Sequence, residues 1–312
     1  MSFLGAVLST TMLAQTLRMA VPYACAGLGG VWSERSGVVN IALEGMLLAS
    51  GLGGVVAHHA TGSAWIGVVC GAATGAAFAL VHALLCVRGR VDAIVSGIAL
   101  NLVAAGGTRF VLRALYGSSS NSPAIEGFRM ASLDGASGGA LLVRTLVDPL
   151  AILTVLFALA TAFVLYRTRF GLRVRACGED PVAAASVGVA VAPIRIAAVT
   201  LGGVVCGLGG VALAYDQHQF QSGMSGGRGF IALAAVILSG WRPGRAVLAC
   251  AAFAALDALQ IVLQDQIHAP QYAVQMLPYV ATLIALLVIA RRTAGTSGVR
   301  GRPPAGLGRH AE

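Results

Sequence analysis

Long apolar stretches separated by short polar ones dominate the chain. Apolar runs cover residues 1–31, 37–57, 64–87, 92–115, 149–166, 196–215, 230–241, 246–263 and 272–290. Most approach the ~20 residues that a helix needs to cross a bilayer at 1.5 Å per residue. The pattern predicts an all-α, polytopic membrane protein with about nine transmembrane helices. Residues 230–241 are too short to span and read as a broken helix. The intervening polar stretches are 33–36, 58–62, 88–92, 116–147, 167–195, 216–229 and 242–245. The domain reading is one transmembrane unit over 1–290 and a Gly/Pro/Arg-rich tail over 291–312 of disordered type.

Composition sharpens this picture. The chain is 57% hydrophobic and 11% charged, where a soluble domain carries about 25% charged residues. All 21 basic residues are arginine, and the net charge is +9. Such a balance can signal nucleic acid, but the arginines sit in short loops that alternate onto one side. Arg35, Arg88, Arg90, Arg167, Arg169, Arg173, Arg175, Arg195, Arg242, Arg245 and the tail arginines share it. This is the positive-inside pattern, so that side is cytoplasmic, and parity places the N-terminus outside. The N-terminal run has no positive flank, and no cleavable signal is expected. The six cysteines form no C-x-x-C pair and read as buried thiols. His58, His59 and His82 lack a ligand spacing, so no metal is expected.

The chain also echoes itself. Ala26-Gly27-Leu28-Gly29-Gly30-Val31 recurs as Cys206-Gly207-Leu208-Gly209-Gly210-Val211, and Ile41-Ala42-Leu43 recurs as Ile231-Ala232-Leu233. The arginine topology runs the two copies in opposite directions. Inverted repeats with Gly-interrupted short helices mark the central pathway of transporters.

Four polar residues, Ser33 to Ser36, separate the first two apolar runs, and Asn40 and Glu44 then follow within the second. A helix starting at Gly37 would place both on one face. An intramembrane acid is costly, which makes Glu44 and Asn40 candidates for a translocation pathway; the alternative is interior packing. Asn101 has the same two readings, pathway or interhelical hydrogen bonding. Arg228 and Phe230 start the short helix, whose N-terminus would attract anionic or hydroxyl groups; the alternative is a headgroup arginine and an interfacial aromatic. Asp257 and Gln260 share a helix face and read as structural. Residues 167–195 are too polar to span. There Asp180 can cap a short helix with Pro181 at its first position and Gly188 at its end. Such a helix is either part of an ordinary basic loop or a docking element for a cytosolic partner.

The order Gly171-Leu172-Arg173-x-Arg175-Ala176-x-Gly178-Glu179-Asp180-Pro181-x-Ala183-Ala184-x-x-x-Gly188 resembles the coupling loop of ATP-binding-cassette importer permeases of the branched-chain amino acid/ribose group. Ser33 to Gly45, Val91 to Asn101 and Gly227 to Ile237 are similar to the nucleoside (simple-sugar) permeases of that group. The resemblance implies an importer subunit in a bacterial inner membrane, passing nucleosides delivered by an extracytoplasmic binding lipoprotein. It implies a second, homologous permease and ATP-hydrolysing subunits docked on Arg173, Arg175, Gly178, Glu179, Asp180, Pro181 and Gly188. ATP belongs to those partners, and no cofactor is expected in this chain: without lysine it cannot carry G-x-x-x-x-G-K-[ST]. Two alternatives stay open, the same machine for a simple sugar such as ribose or galactose, and a proton- or ion-coupled transporter using Glu44. No catalytic constellation is apparent in the sequence.

Overall fold

The computed structural model describes residues 9–128, 138–266 and 303–308, with isolated residues at 276, 280, 283, 284 and 287. Among the described residues the chain is helical without a strand. The elements are α1 (Thr10–Arg35), α2 (Leu43–Thr61), α3 (Ala64–Val87), α4 (Ala93–Tyr116), α5 (Gly138–Val147), α6 (Pro149–Arg167), α7 (Arg169–Glu179), α8 (Pro181–Ser186), α9 (Val191–Asp216), α10 (Arg228–Ser239) and α11 (Pro243–Gln266). Five are long and apolar enough to cross a membrane: α3, α4, α6, α9 and the Pro243–Ile261 part of α11. The expected count of nine is not reproduced. The charged α1 and α2 are less apolar, α10 has only 12 residues, and 272–290 lies outside the described residues. The stretch expected as one loop, 116–147, contains the amphipathic helix α5.

The core is built from α1, α2 and α9, which are glycine-rich and buried over long stretches. Small residues let these backbones touch. A Cβ placed on Gly29 of α1 would lie 2.6 Å from the Gly202 carbonyl oxygen of α9, and one on Gly209 would lie 2.8 Å from Cys25 Cβ. Position thus falls along α1 as it rises along α9, so the repeated Ala26–Val31 and Cys206–Val211 segments lie in antiparallel helices in contact. Around this core, α3, α4, α6 and α11 turn apolar side chains outward: Leu102, Phe110, Leu159, Phe163 and Leu248 are all exposed. That arrangement suits a lipid surround.

The first two helices differ from the sequence expectation at their junction. The polar residues Ser33, Glu34 and Arg35 do not form a turn; they complete α1. Protein groups satisfy them, so water is not required. Ser33 Oγ donates to the Gly29 carbonyl at 3.1 Å, Glu34 accepts from the Trp241 indole, and Arg35 Nε donates to the Trp241 carbonyl at 2.8 Å. The break instead spans 36–42, opened by Gly37 at φ 93°. Its backbone is paired by side chains from neighbouring helices. His82 Nε2 bonds the Val39 carbonyl at 3.0 Å, and Asn101 Nδ2 donates to the Ile41 carbonyl at 3.0 Å. Since a carbonyl only accepts, His82 carries its proton on Nε2, and its Nδ1 accepts from the Ser96 hydroxyl at 2.9 Å. Non-helical backbone at membrane depth is tolerated only with such internal partners.

At the arginine-rich end, residues 169–186 fold as two helices, α7 and α8. Asp180 Oδ1 accepts from the Val182 and Ala183 amides at 3.0 Å, capping α8 over Pro181, and Gly188 has φ 84°. Arg195 Nη2 donates to the Cys177 carbonyl at 3.0 Å and ties α7 to the start of α9. Within the tail expected to be disordered, residues 303–308 form a turn docked on this segment. Gly306 N–H donates to the Gly178 carbonyl at 2.8 Å, and Gly308 N–H to the Gly37 carbonyl at 2.9 Å.

The α1–α9 contact yields a direct test. Gly202→Leu should destabilise the detergent-solubilised protein by ~1–3 kcal/mol through overpacking. Gly106 of α4 has nothing within 4 Å of an added Cβ, so Gly106→Ala should leave the thermal midpoint unchanged or raise it. Equal thermal midpoints for Gly202→Leu and wild type would contradict the packing.

Candidate functional site

The two helix breaks meet at one carboxyl group. The loop before α10 ends in Gly226 and Gly227, with φ values of 53° and 81°, a backbone that glycine adopts without steric cost. It turns two unpaired amides of the α10 N-terminus toward α2. Glu44 Oε1 accepts from Gly227 N–H and Glu44 Oε2 from Gly229 N–H, each at 2.8 Å. Glu44 itself lies in the first turn of α2. One side chain therefore faces the positive ends of two half-helices. A Cβ on Gly229 would collide with the Glu44 backbone and sit 2.9 Å from its Oε2; only glycine lets the two elements approach this closely.

Neighbouring residues set the depth. Gly45 N–H donates to Asn101 Oδ1 at 2.8 Å, and Asn101 lies about 12 Å along α4 from its inner end. The carbonyl of Leu43 accepts from Cys206 Sγ at 3.6 Å, a residue ~22 Å into α9. The meeting point therefore lies well inside the lengths of α4 and α9, away from their ends.

Beside Glu44, Arg228 Nη2 pairs with Asp257 Oδ2 of α11 at 3.0 Å, with the two side chains 19% and 13% exposed. Arg228 Nη1 donates to the Met224 carbonyl at 3.1 Å, and its guanidinium lies 5.9 Å from the Tyr23 ring centroid. Tyr23 OH donates to the same Asp257 oxygen at 3.2 Å. Arg228 is therefore paired inside the protein and does not reach lipid headgroups. An anion and a cation, each with its own partner, thus stand side by side at the start of α10. Their hydrogen-bonding groups are of the kind that hydroxyl or amide groups of a passing solute can replace.

The sequence-based candidates separate in space. Glu44, Asn101 and Arg228 come together. Asn40 does not share a helix face with Glu44, because α2 begins only at Leu43. Asn40 is fully buried, its amide donating to Ser33 Oγ at 2.9 Å while its Oδ1 accepts from Ala42 N–H at 3.1 Å; in this conformation it caps the break. Phe230 is 47% exposed on the outer surface of α10, with Ile237 on the same face. Asp257 and Tyr23 were missed as partners of Arg228. Asp257, an acid within an apolar run, was the available signal.

On the coupling segment, Arg173, Glu179 and Asp180 are exposed, whereas Gly178 and Pro181 are buried. Arg175 lies over the Tyr166 ring at 5.2 Å. Leu172, Val182 and Val187 are more than half exposed, an apolar surface that the charged residues had not announced. Two cavities flank the Glu44 cluster without reaching it. One, of about 170 Å³, lies between α1, the start of α6 and the end of α9, beside Arg18, Asp148, Tyr215 and Asp216. The other, of about 110 Å³, lies at the arginine-rich end beside Gly37, Val39, Asp92 and Arg195.

The cluster predicts strong pairwise coupling. A double-mutant cycle of Arg228→Gln and Asp257→Asn, read by thermal unfolding in detergent, should return roughly 0.5–3 kcal/mol of interaction. A value near zero would mean that the ion pair is absent.

Comparison with known proteins matches these features. The family model for the branched-chain amino acid transport system / permease component covers residues 12–287. The guanosine ABC transporter permease protein NupQ of Bacillus subtilis is 34% identical over 284 residues, 87% of this chain and 89% of its own length. The nucleoside ABC transporter permease protein NupC of Lactococcus lactis is 34% identical over 287 residues, 88% of this chain and 90% of its own. TsgC13 of Haloferax volcanii, provisionally described as a glucose ABC transporter permease, is 38% identical over 276 residues, 85% of this chain and 80% of its own. With two helix breaks meeting at Glu44 and a capped helix pair, α7 and α8, at its arginine-rich end, the chain belongs to the branched-chain amino acid transport system permease family, as an ABC transporter permease subunit of its sugar/nucleoside group.

Proposed function

We propose that this permease carries nucleosides inward across a bacterial inner membrane. The observation that carries the reading is the likeness to NupQ and NupC over nearly the whole length of all three chains. The Glu44–Arg228–Asp257 cluster supports it. It offers acceptors and donors at mid-membrane to a ligand rich in hydroxyl and ring nitrogen groups. Glu44, Asn101 and Arg228 line the path in this reading, together with Asp257 and Tyr23, and Phe230 faces the second permease. An extracytoplasmic binding lipoprotein delivers the ligand at the cavity beside Tyr215 and Asp216.

ATP is hydrolysed by separate subunits that rest on α7 and α8. The exposed Leu172, Val182 and Val187 supply apolar area; Arg173, Glu179 and Asp180 supply the charged rim, as interfaces between stable partners commonly combine. Transport of a simple sugar is the second reading, favoured by the likeness to TsgC13.

Uptake by the assembled transporter separates the two. Unlabelled nucleosides should suppress guanosine uptake at concentrations at least a hundredfold below those of ribose, galactose or glucose. The reverse order would assign the sugar reading. The isolated chain in proteoliposomes should hydrolyse no ATP and accumulate nothing; gradient-driven uptake by it alone would reject the importer reading.

A further inference from the structure

The half-helix α10 has two anchored ends. Its outer-facing start carries Gly227, Arg228 and Gly229, held by Glu44 and Asp257. Its other end is held with equal specificity. α10 closes on Gly240 and Trp241, with φ values of 66° and 57°. Glycine adopts this left-handed backbone freely, but a bulky aromatic there is an outlier that surrounding contacts must impose.

The imposing contacts come from the end of α1. Arg35 Nε donates to the Trp241 carbonyl at 2.8 Å, and Arg35 Nη2 to the Gly240 carbonyl at 3.4 Å. The Trp241 indole N–H donates to Glu34, and both residues are almost wholly buried. Arg35 also reaches the coupling segment. Its Nη1 lies 3.7 Å from Glu179 Oε1, and a Cβ on Gly178 would lie 2.9 Å from the Arg35 carbonyl carbon. Glu179 Oε2 in turn accepts from the tail amide of Ala305 at 3.3 Å. A single arginine therefore joins the last turn of α7 to the strained end of α10. The half-helix between the two anchors has 12 residues, ~18 Å of continuous hydrogen-bonded backbone.

We infer that Arg35 and Trp241 are positioning residues that clamp α10 to the coupling segment, so that movement of α7 drives the Glu44 latch at the opposite end of α10. The inference rests on the proposed function for its direction of transport, and adds the mechanical route within this chain. The Gly240–Trp241 turn, held at positive φ by these contacts, is the element whose conformation such coupling would bias.

The test uses the transporter assembled with its ATP-binding subunits, in a Cys70→Ser background that removes the least buried thiol. Spin labels at Val182→Cys on α8 and Ile237→Cys on α10 report the distance between the coupling segment and the half-helix. With Arg35 intact, this distance should stay narrow and unchanged between ATP-bound and ATP-free states. Arg35→Gln should at least double the width of the distribution. ATP hydrolysis should stay within twofold of wild type, while guanosine uptake per ATP falls at least tenfold. Trp241→Phe, which keeps a smaller aromatic ring but loses the N–H, should reduce the same ratio severalfold, and it decides the matter if Arg35→Gln does not assemble. Wild-type distances and coupling in the variant that assembles would overturn the clamp. A wild-type complex that transports neither guanosine nor glucose would instead reject the function reading, leaving the spin-label distances to judge the clamp alone.

Discussion

Two helix N-termini converge on one carboxyl group in the middle of this protein, and the remaining architecture follows from accommodating that meeting. A broken helix exposes unpaired amides, which hydrocarbon cannot solvate. Here Glu44 accepts the two amides at the start of α10 while standing in the first turn of α2. The elements that surround it exist in matching form. Asn101 pairs both the Ile41 carbonyl and the Gly45 amide, His82 pairs the Val39 carbonyl, Gly226 and Gly227 supply the left-handed turn before α10, and Gly229 removes a side chain that would collide with Glu44.

This constraint explains why the core is glycine-rich. With the break falling between α1 and α2, the long helices α1 and α9 form the centre, and they must press together to exclude lipid from it. Gly29 against Gly202 achieves this with backbone contact. The outer helices face the opposite demand and present leucine and phenylalanine outward. The cluster stands between two cavities, one beside Tyr215 and Asp216 and the other beside Gly37 and Arg195.

Much of this was legible in the sequence. The apolar runs located the helices, the repeated Gly-Leu-Gly-Gly segments foretold an antiparallel pair, and the Asp180-Pro181 order predicted the cap of α8. The junction after Val31 was not legible. Ser33, Glu34 and Arg35 look like a water-facing turn, because the partners of Glu34 and Arg35, Trp241 and Gly240, lie more than 200 residues away. The break moved to 36–42 for the same reason: its satisfied carbonyls depend on His82 and Asn101, which local spacing cannot relate to it. Asp257 carried a signal, an acid in an apolar run, but only the fold places it against Arg228. The tail's composition suggested disorder, yet Gly306 and Gly308 are anchored by amide contacts that need no distinctive side chain.

In the proposed function, Glu44 is a latch that a passing ligand opens. A structure of the assembled transporter with ligand caught between the two permeases would examine that directly. Ligand hydroxyl or ring nitrogen groups should lie within hydrogen-bonding distance of Glu44 or Arg228, with at least one of the 2.8 Å bonds from Gly227 and Gly229 broken. Ligand bound elsewhere, with both bonds intact in every nucleotide state, would contradict it.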